Sequence, residues 1–509
     1  MGDLKIILMY PNFKWASWME RTVWSLHPYS LGILAAMVED KYNVKIIDGT
    51  MDDLSREQFA EIIQKEKPDV LGISVLTNEY GKSGFVAAEI AKKINPNIKT
   101  VFGGVHATTI PDSIITNSNI DFVVVGEGEY VFRDLCDYFA GKGELPKKGI
   151  LYKKNGEIIN TGRADFIFDL DKIPFPSYKS IDFAKYANTL QRESVDSPRD
   201  IPYARIITSR GCPYNCCFCS AGDISGKKMR MRSVENILEE IEMLIKNYGI
   251  KAILFDDDNF IYDKERAKKL FKAMIEKSYS LKWNAPALAL YKLDEEMIEL
   301  MRDSGCQYVD VAVESGVERV LYDIIHKPLD LEYGKKMLKK LKEAGIYTVV
   351  NFILGFPGET WEEIRQNLKF AEEIDVDYVK IAIATPLPNT ELYRIAKENN
   401  YLMEGFRFDR HLWTDGWIKT KEFRPEDLKI LRAYEWDRIN FTESKKRKKT
   451  AEVMRITEKR LSEIRKSTLE RANPNQLREL EQQSSSNNKQ NSNNADFDSL
   501  KKEILIKNG

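Results

Sequence analysis

Ser209-Arg210-Gly211-Cys212-Pro213-Tyr214-Asn215-Cys216-Cys217-Phe218-Cys219-Ser220 holds four of the chain's six cysteines, and Cys212, Cys216 and Cys219 stand in a C-x3-C-x2-C spacing. Three thiolates on one short loop can hold three corners of an iron–sulfur cube and leave the fourth iron without a protein ligand. That vacancy is a place for chemistry. Zinc needs four ligands, usually as two separated pairs, whereas the remaining cysteines, Cys136 and Cys306, are single. Clustered thiols without a secretory segment point to a reducing compartment rather than to disulfides. Cys217 lies outside the spacing and reads as a small buried residue.

Around this loop, residues 201–395 repeat strand then helix six times, with strands expected at 204–208, 252–255, 281–287, 308–313, 347–354 and 378–384. Between the first two, Val234, Ile237, Leu238, Ile241, Leu244 and Ile245 form a stripe of helical period. Six parallel strands are too few for a closed eight-stranded barrel, so an open, partial TIM-type (β/α)6 barrel is expected, with its site at the carboxyl ends of the strands. The cysteine loop follows the first strand and therefore lies on that rim. The other strand ends carry Asp256-Asp257-Asp258-Asn259, Glu314-Ser315-Gly316, Gly355-Phe356-Pro357-Gly358-Glu359-Thr360 and Thr385-Pro386-Leu387-Pro388-Asn389-Thr390. A divalent metal at the acidic run is an alternative reading. Asp263 is the better helix cap.

Upstream, residues 1–145 alternate short apolar strands (4–9, 44–47, 70–75, 100–102, 122–125) with helical patterns, which predicts a Rossmann-like parallel sheet covered on both faces. Ligands of such sheets sit beyond the carboxyl ends of the strands, where this chain places Ser74 and Thr77, Gly103-Gly104-Val105-His106-Ala107-Thr108, and Gly126-Glu127-Gly128-Glu129. Residues 146–200 read as a connector with an Asn155-Gly156 hairpin turn. Within it Ile173-Pro174-Phe175-Pro176-Ser177-Tyr178 is a helix-free strap that braces the two domains. Residues 396–480 are expected to be mainly helical. They include a loop with His411, Trp413 and Trp417, a helix signalled by Leu428, Leu431 and Tyr434, and a basic run, Lys445 to Lys449, read as a solvated helix face. Residues 481–509 form a polar tail, almost wholly Ser, Asn and Gln from Gln482 to Asn494, expected to be disordered.

Lys plus Arg number 77 against 78 Asp plus Glu. That balance gives no reason to expect nucleic acid or an anionic membrane as partner. No apolar run approaches the ~20 residues of a membrane span, and a cytoplasmic protein is the expectation.

The cysteine spacing, with aromatic Phe218 just before the last cysteine, resembles the radical S-adenosylmethionine (SAM) superfamily. The resemblance implies a [4Fe-4S] cluster on Cys212, Cys216 and Cys219 whose open iron chelates SAM. Reduction of that cluster cleaves SAM to methionine and a 5′-deoxyadenosyl radical. It also implies that Asp257 and Asp258 stand where the family meets the SAM amino group, that Glu314 and Ser315 belong to its ribose and carboxylate contacts, and that Gly355 opens the glycine-rich rim segment. Phe218 belongs to the same SAM-binding set. Arg230 or Arg232 could meet the SAM carboxylate, against the alternative of solvated arginines.

Pro28-Tyr29-Ser30-Leu31-Gly32, Gly72-Ile73-Ser74 and the two glycine-rich strand ends look like the cobalamin-binding domain that precedes many radical SAM enzymes. Contacts implied are Ser74, Thr77, Gly103, Gly104, His106, Gly126, Glu127 and Gly128, with His106 as a turn histidine the alternative. Carriers that ligate cobalt from below use Asp-x-His-x-x-Gly. Here Gly104 precedes His106 by two and Thr109 follows it by three, so a lower face without a histidine ligand is implied. The expected activity is methyl transfer to an unactivated carbon of a small-molecule substrate, driven by an external one-electron reductant such as flavodoxin or ferredoxin. Cyclisation, rearrangement or oxidation by the same superfamily is the alternative, followed by a non-catalytic corrinoid carrier. The substrate and the oligomeric state are not set by the sequence.

Overall fold

The computed structural model describes residues 4–15, 26–189, 193–196, 198–409 and 412–472. The expected tail at 481–509 and His411 lie outside them.

The first sheet has seven strands. β1 (Lys5–Tyr10), β2 (Asn43–Asp48), β3 (Val70–Ser74), β4 (Lys99–Gly103) and β5 (Phe122–Val124) pair in parallel, and β6 (Ile150–Lys154) and β7 (Glu157–Asn160) add to β5 antiparallel, in the order β2-β1-β3-β4-β5-β6-β7. All five residues of β3 are buried, as strands covered on both faces require. The sheet is thus mixed rather than parallel throughout. The hairpin read as part of a connector turns at Asn155 and Gly156, both with positive φ, and docks on the short β5. Its buried Ile150 and Leu151 supply the apolar reason, and the unpaired backbone edge of β5 supplies the polar one.

The second sheet contains β8 (Tyr203–Ile206), β11 (Ala252–Phe255), β12 (Lys282–Leu288), β13 (Cys306–Glu314), β14 (Tyr347–Leu354) and β15 (Tyr378–Ile383), ordered β15-β14-β13-β12-β11-β8 and parallel at every pairing. Strands in chain order with helical crossovers make the open barrel that the six repeats predict. A two-residue ladder between β9 (Ser209–Arg210) and β10 (Arg230–Met231) stands apart from both sheets and closes the base of the cysteine loop.

The barrel's open edge is covered by the helix Pro425–Phe441. Asn440 on this helix takes the place of a neighbouring strand. Its Oδ1 accepts from the Val379 amide at 2.7 Å and its Nδ2 donates to the Val379 carbonyl at 2.8 Å. The basic run falls on the next helix, Ser444–Met454, and only part of it is solvated, since Lys446 pairs with Asp375 and Lys449 with Asp377.

The proline strap binds both sheets' helices. The Ser177 amide donates to the Gly32 carbonyl at 2.9 Å, its hydroxyl to Glu39 at 2.6 Å, and the Tyr178 hydroxyl to Glu240 of the helix Val234–Tyr248 at 2.7 Å. No helix among the described residues is long and apolar enough to cross a membrane.

Candidate active site and cofactor cradles

The cysteine loop leaves β9 through Gly211, whose φ is +96° and where a Cβ would lie 2.5 Å from the Lys228 carbonyl oxygen. Only glycine suits that position. The Cys212 amide donates to the Gly226 carbonyl and the Cys219 amide to the Cys216 carbonyl, both at 3.0 Å. Cys217 is buried, and its backbone fixes the loop to two other rim segments. Its amide donates to the Ile325 carbonyl at 3.1 Å and its carbonyl accepts from the Leu392 amide at 2.8 Å. Cys212 and Cys216 are half-buried and Cys219 is exposed.

Burial pushes the Cys216 thiol up to about 12, against the opposing charge of Lys327. Without iron the loop holds thiols, and taking up iron would expel protons. Among the described residues no three His, Cys, Asp or Glu side chains converge on one cation position. A cubane takes each thiolate at a separate iron, so three spaced thiols on one loop suit it.

The rim residues divide. Phe218, 5.9 Å from the Phe356 ring centroid, and Glu314 line a cavity of about 1240 Å³ inside the open barrel. Glu314 is buried at a positive φ of 71° and pairs with the buried Lys327 at 3.1 Å. Asp258 faces a different cavity, between the two sheets, and burial raises its pKa.

Asp257, Ser315 and Gly355 line neither cavity. Asp257 Oδ1 accepts from the Thr208 amide (3.0 Å), the Thr208 hydroxyl (2.9 Å) and the Ser209 hydroxyl (2.6 Å), while burial still raises its pKa to about 6. Through Oδ1 its carboxylate clamps the segment between β8 and the cysteine loop, while Oδ2 is buried without a hydrogen-bond partner. The Ser315 hydroxyl accepts from the Val317 amide at 3.2 Å. Gly355 has φ +86° with Leu428 2.4 Å from where a Cβ would be, and it donates its amide to Glu359 at 2.7 Å. These three hold the shape of the rim.

The cavity between the sheets measures about 430 Å³. Ser74, Gly103, Gly104, Gly126, Glu127 and Gly128 line it from the first sheet, and Arg205, Ser209, Arg210, Asp256 and Asp258 from the barrel. At Gly103 a Cβ would meet nothing within 4 Å, while Gly104 and Gly126 have φ of +90° and +93°. Bare backbone at Gly103 gives this cradle a surface against which a flat ligand can lie, while Gly104 and Gly126 make its tight turns. Thr108, within the quoted glycine stretch but not singled out, also lines it and accepts the Gly126 amide at 3.1 Å, joining the two glycine loops.

Thr77 and His106 do not line this cavity. His106 is buried beside Phe85 and Phe102, its Nδ1 is 2.8 Å from Asn78 Oδ1, and its Nε2 lies where a Cβ on Gly81 would be. Burial lowers its pKa to about 4, so the ring is neutral packing. The Thr77 hydroxyl is likewise buried.

Charges join the two halves at this cavity. Glu127 receives Arg230 Nη1 at 2.7 and 2.6 Å and Arg210 Nη1 at 3.2 Å, and Glu129 receives Arg210 Nη2 at 2.6 Å. Arg210 lies two residues before Cys212, so the glutamates of one domain hold the start of the cysteine loop of the other. Arg230 and Arg232 are both buried rather than solvated, and Arg232 pairs with Glu240 at 2.5 Å.

A three-thiol loop that meets a glycine-lined sheet cavity at Ser209 and Arg210 and the open barrel's cavity at Phe218 marks an α/β protein of two joined units. Residues 206–371 match the Radical SAM superfamily and residues 23–136 the B12 binding domain. The chain is 36% identical over 438 residues to an uncharacterized methyltransferase of Pyrococcus horikoshii, covering 85% of this chain and 92% of that one. It is 31% identical to the cytidylyl-2-hydroxyethylphosphonate methyltransferase of Streptomyces wedmorensis, covering 72% of this chain and 74% of that one. Among solved structures, the radical S-adenosylmethionine methyltransferase TsrM of Kitasatospora setae shares the fold, with TM-score 0.64 and 19% identity over 78% of this chain and 75% of that one. The chain belongs to the radical SAM superfamily, in the group whose barrel follows a B12-binding domain.

Proposed function

We propose that this chain is a cobalamin-dependent radical SAM methyltransferase that methylates an unactivated carbon of a small molecule. The observation that carries the reading is the place of the cysteine loop: Ser209 and Arg210 at its start face the cavity between the sheets, and Phe218 near its end faces the barrel cavity. One loop therefore touches both spaces in which cofactors and substrate would meet. When loaded, a [4Fe-4S] cluster on Cys212, Cys216 and Cys219 would supply the electron that cleaves SAM, and cobalamin in the glycine cradle would supply the methyl group.

The chain's own contribution is positioning. Phe218 and Glu314 bound the barrel cavity next to the loop, and Asp258 bounds the other. The clamp by Asp257 and the Arg210 ion pairs hold the loop in register with the glycine cradle. The cobalamin unit on this reading is the whole first sheet, with the β6–β7 hairpin included. An external one-electron reductant such as flavodoxin or ferredoxin and a cytoplasmic location complete the proposal.

The methyltransferase names of the Pyrococcus and Streptomyces relatives support methyl transfer over other radical outcomes. The test is anaerobic purification with iron, sulfide and corrinoid analysis, then turnover with SAM labelled in its methyl group. Label recovered in a product carbon is the expected result. Deoxyadenosine without labelled product would replace methyl transfer by rearrangement or oxidation, and absence of SAM cleavage would overturn the enzyme reading.

A further inference from the structure

The barrel cavity, about 1240 Å³, exceeds the ~300–1,000 Å³ of ordinary ligand pockets. It runs from Phe218 beside the cysteine loop, past β14 and β15, to the helices Pro425–Phe441 and Glu458–Ala472. Most charges along it are matched. Lys380 Nζ lies 2.8 Å from Asp310 and 2.7 Å from Asp196, Glu314 pairs with Lys327, and Lys429 pairs with Asp415 at 3.0 Å.

Arg432 is different. It is 8% exposed, its Nε donates to the Ile381 carbonyl at 2.8 Å, and its guanidinium carbon stands 5.4 Å from the centroid of Trp413. Among the described residues no carboxylate pairs with it, and Asp415, whose charge reaches it, is held by Lys429. One neutral carbonyl uses one of five N–H donors. A buried cation without a counter-charge is costly, and burial draws its pKa down to about 10, which leaves it charged at neutral pH. A planar fork beside an aromatic face is the arrangement that takes carboxylates and phosphorus oxyanions in two parallel hydrogen bonds.

We propose that Arg432 is the anion-recognition residue of the barrel cavity, so that the substrate is a small molecule with a carboxylate or phosphorus oxyanion on an apolar or aromatic body. The anion pairs with the guanidinium, and the body lies along Trp413, Phe352 and Trp436, which line the same cavity. As an account of the substrate this rests on the reaction proposed above.

The test uses the full, anaerobically reconstituted chain and calorimetric titration with benzylphosphonate and phenylacetate, against phenylacetamide as the neutral isostere. At least one anion is expected to bind ~10-fold or more tightly than the amide, the strength of a charge-assisted over a neutral hydrogen bond. Arg432→Gln keeps a donor for the Ile381 carbonyl and removes the charge, and it should abolish that preference. Arg432→Lys should retain part of it. Preference for the phosphonate or for the carboxylate supports the proposal and assigns the oxyanion.

Equal binding of anions and amide, no binding of any probe, or an undiminished preference in Arg432→Gln would overturn it. If Arg432→Gln does not fold, judged by its melting curve, the comparison of anion with amide on the unchanged chain decides. Probe binding needs neither SAM nor reductant, so its failure is read separately from failure of labelled-methyl transfer.

Discussion

Cys217 stands between two of the three proposed cluster cysteines yet is buried with both backbone groups committed, while Cys212, Cys216 and Cys219 remain reachable. Replacing any one of the three by Ala is expected to remove the [4Fe-4S] absorption and SAM cleavage, read from iron and sulfide content and from deoxyadenosine. Cys217→Ala should keep the cluster and lower stability by about 1 kcal/mol, the scale of a small buried truncation. Glu359 offers a pH test. Its Oε2 accepts the amides of Gly355 and Phe356 at 2.7 and 3.1 Å, and burial raises its pKa to about 7. The folded state then holds a proton that the unfolded state has already lost between about pH 4.3 and 7, so stability from this group falls as pH rises through that window and levels off above it. Glu359→Gln keeps the acceptor without the charge. Its melting temperature is expected to decline less over the window and to exceed that of the unchanged chain at pH 8. At this scale the cysteine spacing can be read from the sequence because it is local. The place of the His106 ring cannot, since a side chain after a strand can face the cradle or the core, and only the positions of Gly81, Phe85 and Phe102 decide which.

Among the elements, the buried parallel strands were the most legible, because a strand covered on both faces must be an unbroken apolar run and the runs lie where β1 to β5, β8 and β11 to β15 form. The β6–β7 hairpin was recognised by its turn, but its docking on β5 depends on a partner edge far away in sequence. The helix Pro425–Phe441 was signalled by only a few apolar residues, for it also buries Arg432, Glu435, Asp437 and Asn440. No period marks a helix whose polar residues are inside. The loop between β9 and β10 gives the prediction at this scale. Gly211→Ala imposes a left-handed penalty of about 1–2 kcal/mol and a contact with the Lys228 carbonyl. The cluster content of the purified protein is expected to fall although every cysteine is present, and limited proteolysis should cut within the loop.

For the whole molecule, the contacts that matter most cross between the sheets. Glu127 and Glu129 reach Arg210 and Arg230, the strap ties Glu39 to Glu240 through Ser177 and Tyr178, and Tyr186 reaches Asp48 at 3.0 Å. Glu127→Gln leaves Arg230 buried without its partner, and losses of about 3–5 kcal/mol are usual for such a broken pair. A markedly lower melting temperature is expected. The double variant Glu127→Gln with Arg230→Met should recover part of it, since it removes the stranded charge as well. No recovery would mean that the pair does not act as a unit. By itself the sequence determined two α/β units, the order of the segments at the strand ends and a three-cysteine loop after the first barrel strand, because apolar period, glycine turns and cysteine spacing are properties of neighbouring residues. Only the tertiary structure decided which rim residues face a cavity, that Asp257 clamps the loop's base while Asp258 faces the cavity between the sheets, that Arg230 is buried, and that Arg432 lies in the barrel with no carboxylate paired to it among the described residues. Burial and charge pairing join residues hundreds of positions apart, so they exist only once the chain is folded.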